Sequence, residues 1–326
     1  MFCQKCYCAQ YRGPELKDST SGGVFYAFAK YVVENKGCVF GAAYDEQLVL
    51  RHVAVENIED LKKIQGSKYV ESDFIGVLPK LKTRLDNGQL CLFSGTPCQI
   101  AAVRSFLKKD YQNLLLIDIL CHGTPSRELF QRYIAWRERV WNVKILNFEF
   151  RNKRAAQWGD QQKALITTDK DEKIIPAVCD PYFYAFQKGL IAQKKCYSCK
   201  FASPNRVGDI TAADFWGIKA FCPDFPYTKG ASCMLVNTSN GNVFFEQVKD
   251  SFLLEKMSFE DARKHNPHFN HPLTCNPIQS EIYKAVKEDE DFSKILPLLP
   301  CLSYKHYLFK KIVSAIKRLI KRVICR

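Results

Sequence analysis

Apolar and polar residues follow two different periods along the chain, one typical of strands and one typical of helices. After the small-residue loop Ser19–Gly23, apolar residues recur at helical spacing over Val24–Asn35, and Gly37 is a natural end for this helix. Two apolar runs, Cys38–Tyr44 and Leu48–Val55, follow with a short polar turn between them. They predict an antiparallel pair of strands.

The middle of the chain alternates strands and helices, with a cysteine in each loop that follows a strand. The pattern predicts helices at Ile58–Ile64 and Phe74–Leu85, the strand Gln89–Phe93, the helix Ile100–Lys109, the strand Leu114–Leu120 and the helix Glu128–Val140. A right-handed crossover would place the last two strands in parallel as neighbours. Cys98 and Cys121 would then emerge together at the carboxyl ends of these strands, where open α/β sheets bind ligands.

The second half of the chain is richer in predicted strands. The pattern gives strands at Val143–Phe150, Lys163–Thr168 and Lys173–Val178, a helix at Pro181–Leu190, and strands at Ile210–Phe215 and Ala231–Thr238. We therefore expect an α/β fold whose mixed sheet contains a parallel βαβ unit flanked by helices, with a β-rich second half and a C-terminal amphipathic helix. The expected regions are an N-terminal extension (1–17), an N-terminal part (18–103), a C-terminal part (104–275) and a basic tail (276–326).

Composition places the chain among globular proteins. It has 326 residues, 47% of them hydrophobic and 25% charged, which is enough to bury a large core. We find no secretory signal and no apolar run long enough to span a membrane, so we expect a cytoplasmic protein. Disulfides are rare in that reducing compartment, so the 15 cysteines indicate metal or redox roles for some and ordinary burial for the rest.

The net charge of +14 is concentrated at the C-terminus, where eight Lys and Arg residues follow residue 301 and no acidic residue does. The first 301 residues carry only +6, and no nucleic-acid-binding motif is present, so we expect no nucleic-acid partner. Tyr304–Arg326 combines these charges with apolar residues at helical spacing, which predicts a cationic amphipathic helix. This helix has two alternative docking sites. One is an anionic membrane surface, which would make the protein peripheral at the inner membrane face, and the other is the protein itself.

Four cysteines are candidate metal ligands. Cys98 and Cys121 follow two predicted strands, and Cys196 and Cys199 form a CxxC. A CxxC brings two sulfurs to one metal ion or cluster, and two more thiolates complete the set that iron–sulfur clusters or structural zinc require. Two other interpretations stay open at this point. The loop cysteines are small buried residues at strand ends, or Cys98 and His122 form a nucleophile and its base.

Two loops are candidate nucleotide-binding segments. The glycines of Ser21-Gly22-Gly23, at a helix start, would let a phosphate approach free backbone amides. Ser67-Lys68-Tyr69 adds a cation and an aromatic ring, which suit a pyrophosphate and a ring system. Each loop alone is equally typical of a capped turn or of a solvated lysine beside a packed tyrosine. The sequence contains neither a GxGxxG fingerprint nor a Walker loop.

Taken in order, several short motifs resemble one known family. The motifs are Ser21-Gly22-Gly23, Ser67-Lys68-Tyr69, Ser94-Gly95-Thr96-Pro97-Cys98-Gln99, Cys121-His122-Gly123, Phe150-Arg151-Asn152-Lys153, Cys196-Tyr197-Ser198-Cys199-Lys200 and Asp209 to Gly217. Their order resembles that of the coenzyme F420 hydrogenase/dehydrogenase beta-subunit family over about residues 18–270. This resemblance implies FAD, held by the Gly22-Gly23 loop and the Lys68-Tyr69 segment, and a 4Fe-4S cluster held by Cys98, Cys121, Cys196 and Cys199.

The same resemblance implies a redox activity. Members pass a hydride between the flavin and a hydride-carrying cofactor, and electrons move through iron–sulfur centres. Many relatives begin with a two-cluster ferredoxin module; here almost nothing precedes Tyr7, so we expect a separate, ferredoxin-like redox partner. Bacterial relatives of this kind resemble proteins of surface-polysaccharide biosynthesis.

We therefore expect a flavin- and iron–sulfur-dependent oxidoreductase. The main alternative is a zinc-stabilised interaction subunit of a polysaccharide biosynthesis assembly without redox turnover. A third hypothesis is a transferase that uses Cys98 as its nucleophile and His122 as its base.

Overall fold

The computed structural model describes residues 3–160, 162–288, 291–309 and 311–313. Within them the strands are β1 (Lys5–Tyr11), β2 (Cys38–Tyr44), β3 (Leu50–Val55), β4 (Cys91–Gly95), β5 (Leu114–Ile119), β6 (Ile145–Glu149), β7 (Lys163–Thr168), β8 (Glu172–Pro176), β9 (Ile210–Asp214), β10 (Ser232–Val236) and β11 (Phe252–Met257). The helices are α1 (Val24–Glu34), α2 (Leu61–Ile64), α3 (Leu78–Asp86), α4 (Pro97–Leu107), α5 (Arg127–Trp141), α6 (Pro181–Gln187), α7 (Ile218–Phe221), α8 (Ser239–Val248), α9 (Phe259–Lys264), α10 (Ile278–Lys287) and α11 (Phe292–Ile295).

A mixed sheet forms the centre of the fold, with the strand order β11-β1-β10-β9-β5-β4-β2-β3 among the described residues. Strands β2, β4, β5 and β9 are parallel to their neighbours in this group, and the strands at both ends of the sheet pair antiparallel. A second sheet, β6-β7-β8, is antiparallel. The predicted α/β fold with a mixed sheet and a β-rich second half is therefore confirmed.

Helices cover both faces of the central sheet, because side chains alternate between the faces along each strand. On one face Leu92 of β4 and Leu115 of β5 pack in a cluster with residues of α1 and α8. On the other face Phe93 and Leu116 pack with residues of α3 and α4. The parallel strands are thus buried on both sides, as their continuous apolar sequences require.

The predicted βαβ unit is present. Cys91 of β4 pairs with Leu114 of β5 in a parallel ladder, and α4 makes the connection between the two strands. The predicted antiparallel pair is present too, with Val39 opposite Val55 and Tyr44 opposite Leu50. The helix predicted over Ile58–Ile64 is shorter, since only Leu61–Ile64 is α-helical.

Seven elements among the described residues were not predicted from the sequence, namely β1, α7, α8, β11, α9, α10 and α11. No strand was predicted at Lys5–Tyr11, yet β1 lies inside the sheet between β10 and β11. Neither α8 nor β11 was predicted. Both strand partners of β1 are more than 200 residues away along the chain, for example Met234 and Lys256 opposite Tyr7.

The tail is described in part. Residues 304–309 and 311–313 are helical, which agrees with the start of the predicted helix over Tyr304–Arg326, and the remainder of that prediction lies outside the described residues. Across the described part of the chain, every helix is too short or too polar to cross a lipid bilayer.

Candidate functional site

Three neighbouring parallel strands end at the same edge of the sheet and carry functional side chains there. Strand β4 leads through Thr96 into α4, and Cys98 lies in the first turn of that helix. Strand β5 ends two residues before Cys121, and β9 ends with Asp214. Thr96 and Gln99 form a capping box and Pro97 opens the helix, so the residues around Cys98 are fixed by the helix start itself.

The four predicted ligand cysteines come together at this edge. Cys98, Cys121, Cys196 and Cys199 all line one cavity of about 520 Å³. Cys98 is exposed to solvent and the other three are half-buried. The Oγ1 atoms of Thr96 and Thr124 lie 3.1 Å and 4.0 Å from the sulfurs of Cys98 and Cys196. Residues separated by as many as 101 positions in the sequence therefore share one cavity.

Backbone contacts join the two segments that carry three of these cysteines. The amide of Gln193, before the CxxC, donates to the carbonyl of Thr124, after Cys121, at 3.0 Å. Gly123 has a φ of +83°, and a Cβ there would lie 2.9 Å from the side chains of both Ala192 and Leu273. A larger residue than glycine would thus push the Cys121 loop away from the CxxC segment.

Electrostatics around the cysteines favour neutral thiols unless positive charge is supplied. Burial, with added repulsion from Cys196 and Cys98, raises the pKa of Cys121 to about 12. Burial also raises the pKa of Cys196. Metal binding requires thiolates, so a ligand at these sulfurs must displace protons and bring compensating positive charge.

The two predicted nucleotide-binding loops lie side by side. The amide of Ser67 donates to Thr20 Oγ1 at 2.7 Å, and the Gln65 side chain donates to Ser19 Oγ at 2.8 Å. Both loops line a second cavity of about 460 Å³, to which Ser21, Gly23, Ser67, Lys68 and Tyr69 contribute. Five of the six predicted residues therefore share one site.

The sixth residue, Gly22, packs against the sheet. Its amide donates to Ser232 Oγ at 2.8 Å. A Cβ on Gly22 would lie 2.2 Å from the carbonyl oxygen of Ala9 and 2.6 Å from the amide nitrogen of Ser232, distances that real Cβ atoms do not reach. Gly22 thus allows the loop to lie directly on β1 and β10, and Gly23, with a φ of +80°, then begins α1.

The two cavities share a wall. Residues that line both are Val70, Ser72, Thr96, Gln99, Cys121, Gly123 and Thr124. The Gln99 side chain holds this wall together, because its amide donates to Ser72 Oγ at 2.9 Å and its oxygen accepts from the Thr96 amide at 3.0 Å. Cys121 therefore lies between the cysteine cavity and the loop cavity.

Comparisons with known proteins agree with this architecture. Residues 88–262 match the sequence model of a family described as the C terminus of the coenzyme F420 hydrogenase/dehydrogenase beta subunit. The chain belongs to this family. The match covers more than half of the chain and includes all four cysteines and Asp214. Membership makes the protein a beta-subunit-like redox protein of an oxidoreductase family, for which redox cofactors are expected.

The fold of this beta-subunit family member also resembles a solved structure. A chain of the xenon-derivatised F420-reducing [NiFe] hydrogenase complex from Methanosarcina barkeri matches it with a TM-score of 0.52 and 18% sequence identity. The match covers 89% of this chain and 90% of that chain. It shows that the two share a fold. No curated protein sequence matches the chain.

One part of the site was not predicted in the sequence analysis. Arg151 and Asp214 of this beta-subunit-like protein form a bidentate ion pair in the wall of the loop cavity, with N–O distances of 2.5 Å and 2.9 Å. Burial alone would raise the pKa of Asp214, but the charge and hydrogen bonds of Arg151 outweigh it and lower this pKa. Trp158 donates to the same carboxylate at 2.9 Å, and its ring stacks on Trp216 with centroids 5.3 Å apart. The sequence motif Phe150-Arg151-Asn152-Lys153 contains Arg151. Its partner Asp214 is 63 residues away along the chain, so the ion pair could not be predicted from the motif.

Two half-buried lysines lie at the loop cavity and beside it, Lys68 in the cavity wall and Lys153 against the Ser19–Gly23 loop. Lys68 Nζ donates to the carbonyl of Gln65 at 2.9 Å, and Lys153 Nζ donates to the carbonyls of Leu16 and Ser21 at 2.9 Å and 2.5 Å. Burial lowers the pKa of Lys68 to about 8, and burial together with Arg151 lowers the pKa of Lys153 to about 7. Among the described residues no carboxylate pairs with either amine. An anionic ligand on these loops would stabilise their charged forms.

Cys98 and His122 line different cavities, and four other cysteines are buried on the sheet. Cys98 faces the cysteine cavity, whereas His122 lines the loop cavity and packs against His268 with ring centroids 4.4 Å apart. Burial lowers the pKa of His122 to about 4. Cys6, Cys8, Cys222 and Cys233 are buried in a cluster with apolar residues on the sheet.

Proposed function

We propose that the chain is a flavin- and iron–sulfur-dependent oxidoreductase that passes electrons between a hydride-carrying cofactor or substrate and an iron–sulfur centre. FAD would occupy the loop cavity, and a 4Fe-4S cluster would occupy the cysteine cavity. Residues 18–103 would supply both flavin loops and Cys98, and residues 104–275 would supply the other three cysteines. The observation that carries the proposal is that Cys121 belongs to both cavities.

The donor set suits a cluster. Four thiols, none of them in a disulfide, line a single cavity on the side where the parallel strands end. Each would bind a different iron atom, so the sulfurs need not meet at one point. Cys98, Cys121 and the CxxC are held by three separate elements, which gives the cavity a preformed shape.

A single zinc ion, the alternative, requires a tighter arrangement. Zinc ligands lie about 2.3 Å from the metal, so four thiolates must converge on one point. Among the described residues, no three Cys, His, Asp or Glu side chains are placed to hold one metal ion. Four thiols spread around the wall of a cavity of about 520 Å³ suit a group of several metal and sulfur atoms, which is the basis for proposing a cluster here.

The loop cavity suits an anionic aromatic dinucleotide. The amides at the start of α1 and the amine of Lys68, which line the cavity, would hold the pyrophosphate. Tyr69, which is stacked on Phe186 with centroids 4.1 Å apart, and Trp216 give the cavity flat apolar walls. A bound flavin supplies chemistry that no side chain has, because it takes two electrons as hydride and releases them singly. In the loop cavity the flavin would lie beside Cys121, which lines both cavities.

Electrons would exchange with a partner at the exposed side of the cysteine cavity. Cys98 is exposed there, and Lys195 and Lys200 line the same cavity. Lys195 is paired with Glu71 at 2.5 Å, which fixes its position at the rim. A ferredoxin-like partner with an acidic surface would meet complementary charge at this point.

Purification under anaerobic conditions tests the proposal. We expect brown protein with flavin bands, and iron, sulfide and flavin in proportion to protein. Colourless protein that contains zinc would instead support the hypothesis of a non-redox interaction subunit. If Cys98→Ala abolished a group-transfer activity that Cys196→Ala retained, the nucleophile hypothesis would replace the proposal.

A further inference from the structure

The amine of Lys153 holds the Ser19–Gly23 loop from outside the loop cavity. Its Nζ atom donates to the carbonyl of Leu16 at 2.9 Å and to the carbonyl of Ser21 at 2.5 Å. Ser21 lines the loop cavity, whereas Lys153 does not. The amine therefore acts on the cavity through the loop.

Gly230 makes room for this contact. Its φ is +118°, a conformation that residues with a side chain rarely adopt. A Cβ there would lie 2.3 Å from the carbonyl oxygen of Ser21 and 2.6 Å from Nζ of Lys153, and real Cβ atoms do not come so close. Any larger residue at position 230 would displace the amine or the loop, so the contact depends on a glycine here.

The loop uses its carbonyls for contacts with the protein and leaves several amides unused. The Ser21 carbonyl accepts from the lysine amine, and the Gly22 carbonyl accepts from the amide of Tyr11 at 2.7 Å. Among the described residues, no group accepts a hydrogen bond from the backbone amides of Thr20, Ser21 and Gly23. Holding the carbonyls in this way keeps the unpaired amides available for an anion.

The Lys153 amine has no negative charge paired with it. Burial and the nearby Arg151 lower its pKa to about 7, against the opposing effects of Asp214 and Asp18. The Asp214 carboxylate already forms its ion pair with Arg151, and among the described residues no carboxylate lies within ion-pair distance of the amine. An anion bound to the loop would add negative charge close to the amine and would favour its protonated form.

We propose that Lys153 is a positioning residue of the Ser19–Gly23 loop, and that its amine takes up a proton from solvent as the loop binds an anion. The step is proton binding alone, since the neutral amine becomes an ammonium group and no other bond forms or breaks. The inference rests on the proposed function for the identity of the anion, the pyrophosphate of a dinucleotide. Flavin binding should then weaken as the pH rises from 7 to 9, because over this range the flavin-free protein holds fewer protons at Lys153 than the flavin-bound protein.

Titration calorimetry with the flavin-free full chain tests the proposal. FAD and, separately, inorganic pyrophosphate are titrated in buffers of different ionisation enthalpy, which counts the protons taken up on binding. At pH 8 the free amine is about one-tenth charged. If the bound anion raises its proton affinity tenfold, Lys153 contributes about 0.4 proton at pH 8, and FAD binds about fivefold more tightly at pH 7 than at pH 9.

Substitutions separate this effect from that of Lys68, which lines the same cavity, has a pKa of about 8 and also takes up protons when an anion binds. Lys153→Met should lose about 0.4 proton of the uptake, bind FAD about fivefold more weakly at pH 7, and exchange its amide hydrogens faster over residues 16–23. Lys153→Arg keeps a positive charge at every pH, so it should retain the affinity and lose the pH dependence that comes from position 153. Lys284→Met, at a side chain that is 75% exposed, should match the unchanged protein in all three measurements.

Equal proton uptake and equal hydrogen exchange in Lys153→Met and the unchanged protein would overturn the proposal, as would an FAD affinity that stays constant between pH 7 and pH 9. If Lys153→Met does not fold, the comparison of Lys153→Arg with the unchanged protein decides. Failure of the proposed function has a different signature, because pyrophosphate would then bind with proton uptake and FAD would not bind. Absence of binding by both anions would overturn both proposals.

Discussion

The guanidinium of Arg206 and the carboxylate of Asp118 lie 2.9 Å apart, with side chains that are 1% and 0% exposed. Asp118 belongs to β5, three residues before Cys121, and Arg206 follows Cys199 by seven residues. Arg206 also donates to the carbonyls of Phe201 and Ser203 at 3.1 Å and 3.2 Å, and it lines the cysteine cavity. This ion pair therefore joins strand β5, which leads to Cys121, to the loop that follows Cys196 and Cys199.

Loss of this pair should affect both stability and iron retention. Arg206→Met leaves the buried carboxylate of Asp118 without its partner, which costs about 3–5 kcal/mol. Urea unfolding measures this cost, and iron analysis of the purified variant should show reduced cluster content. Arg154→Met, at a side chain that is 63% exposed, should change the unfolding free energy by less than about 0.5 kcal/mol. Asp118→Asn combined with Arg206→Met should recover part of the lost stability, and unchanged stability of Arg206→Met would contradict this account.

The Arg151–Asp214 pair should control flavin retention. Arg151→Lys replaces two contacts with one inside the loop cavity, at a cost of about 1–3 kcal/mol, so we expect a lower ratio of flavin to protein. Arg84→Lys is the matched control, because Arg84 makes a bidentate pair with Glu56 at the surface, at 2.6 Å and 3.0 Å. That variant should lose less than about 1 kcal/mol and no flavin. Equal flavin loss in both variants would refute a local role for Arg151.

The buried amine of Lys153 predicts a pH-dependent stability of the flavin-free protein. Its pKa is lowered to about 7 in the fold, whereas an unfolded lysine titrates near about 10.4. Between these values the unfolded chain binds more protons, so the unfolding free energy rises with pH. Below pH 7 the amine is charged in both states and the full penalty of its burial is present.

Urea unfolding at two pH values measures this effect. Lys153 should contribute an increase in unfolding free energy of about 2 kcal/mol between pH 7 and pH 9, and Lys153→Met should lack it. Lys284→Met, at a side chain that is 75% exposed, should keep the increase. An identical pH profile for Lys153→Met and the unchanged protein would show that the amine is not buried as described.

Gly22 and Gly76 form a matched pair for testing the loop on the sheet. A Cβ on Gly22 would meet Ala9 and Ser232 backbone atoms, whereas nothing lies within 4 Å of a Cβ on Gly76. Gly22→Ala should therefore destabilise the protein by about 2 kcal/mol or more, and Gly76→Ala should leave the melting temperature nearly unchanged. Similar melting temperatures for the two variants would mean that Gly22 does not pack on β1 and β10.

Local sequence signals predicted the elements that depend on neighbours in the sequence. The unit β4–α4–β5 follows from two apolar runs on either side of a helix, and its handedness then brings Cys98 and Cys121 to one edge. The two candidate nucleotide-binding loops were recognised as separate small motifs. Their hydrogen bonds to each other, such as Ser67 to Thr20, could be seen only in the structure.

Long-range pairing explains what the sequence did not reveal. Strand β1 has partners more than 200 residues away, so no nearby turn or hairpin signal marks it. The buried pairs Arg151–Asp214 and Arg206–Asp118 are ordinary charged residues until the fold removes water from them. Gly22 could be assigned to packing only once Ala9 and Ser232 were known to lie against it.

Iron and sulfide analysis of single cysteine variants, purified without oxygen, tests the central claim most directly. The unchanged protein should contain about four iron and four sulfide ions per chain, and Cys98→Ser, Cys121→Ser, Cys196→Ser and Cys199→Ser should each lose most of the iron and the visible cluster absorption. Cys301→Ser, at an exposed cysteine outside both cavities, should retain them. Full iron content in any of the four cavity variants, or no iron in the unchanged protein, would contradict a cluster bound by these four cysteines.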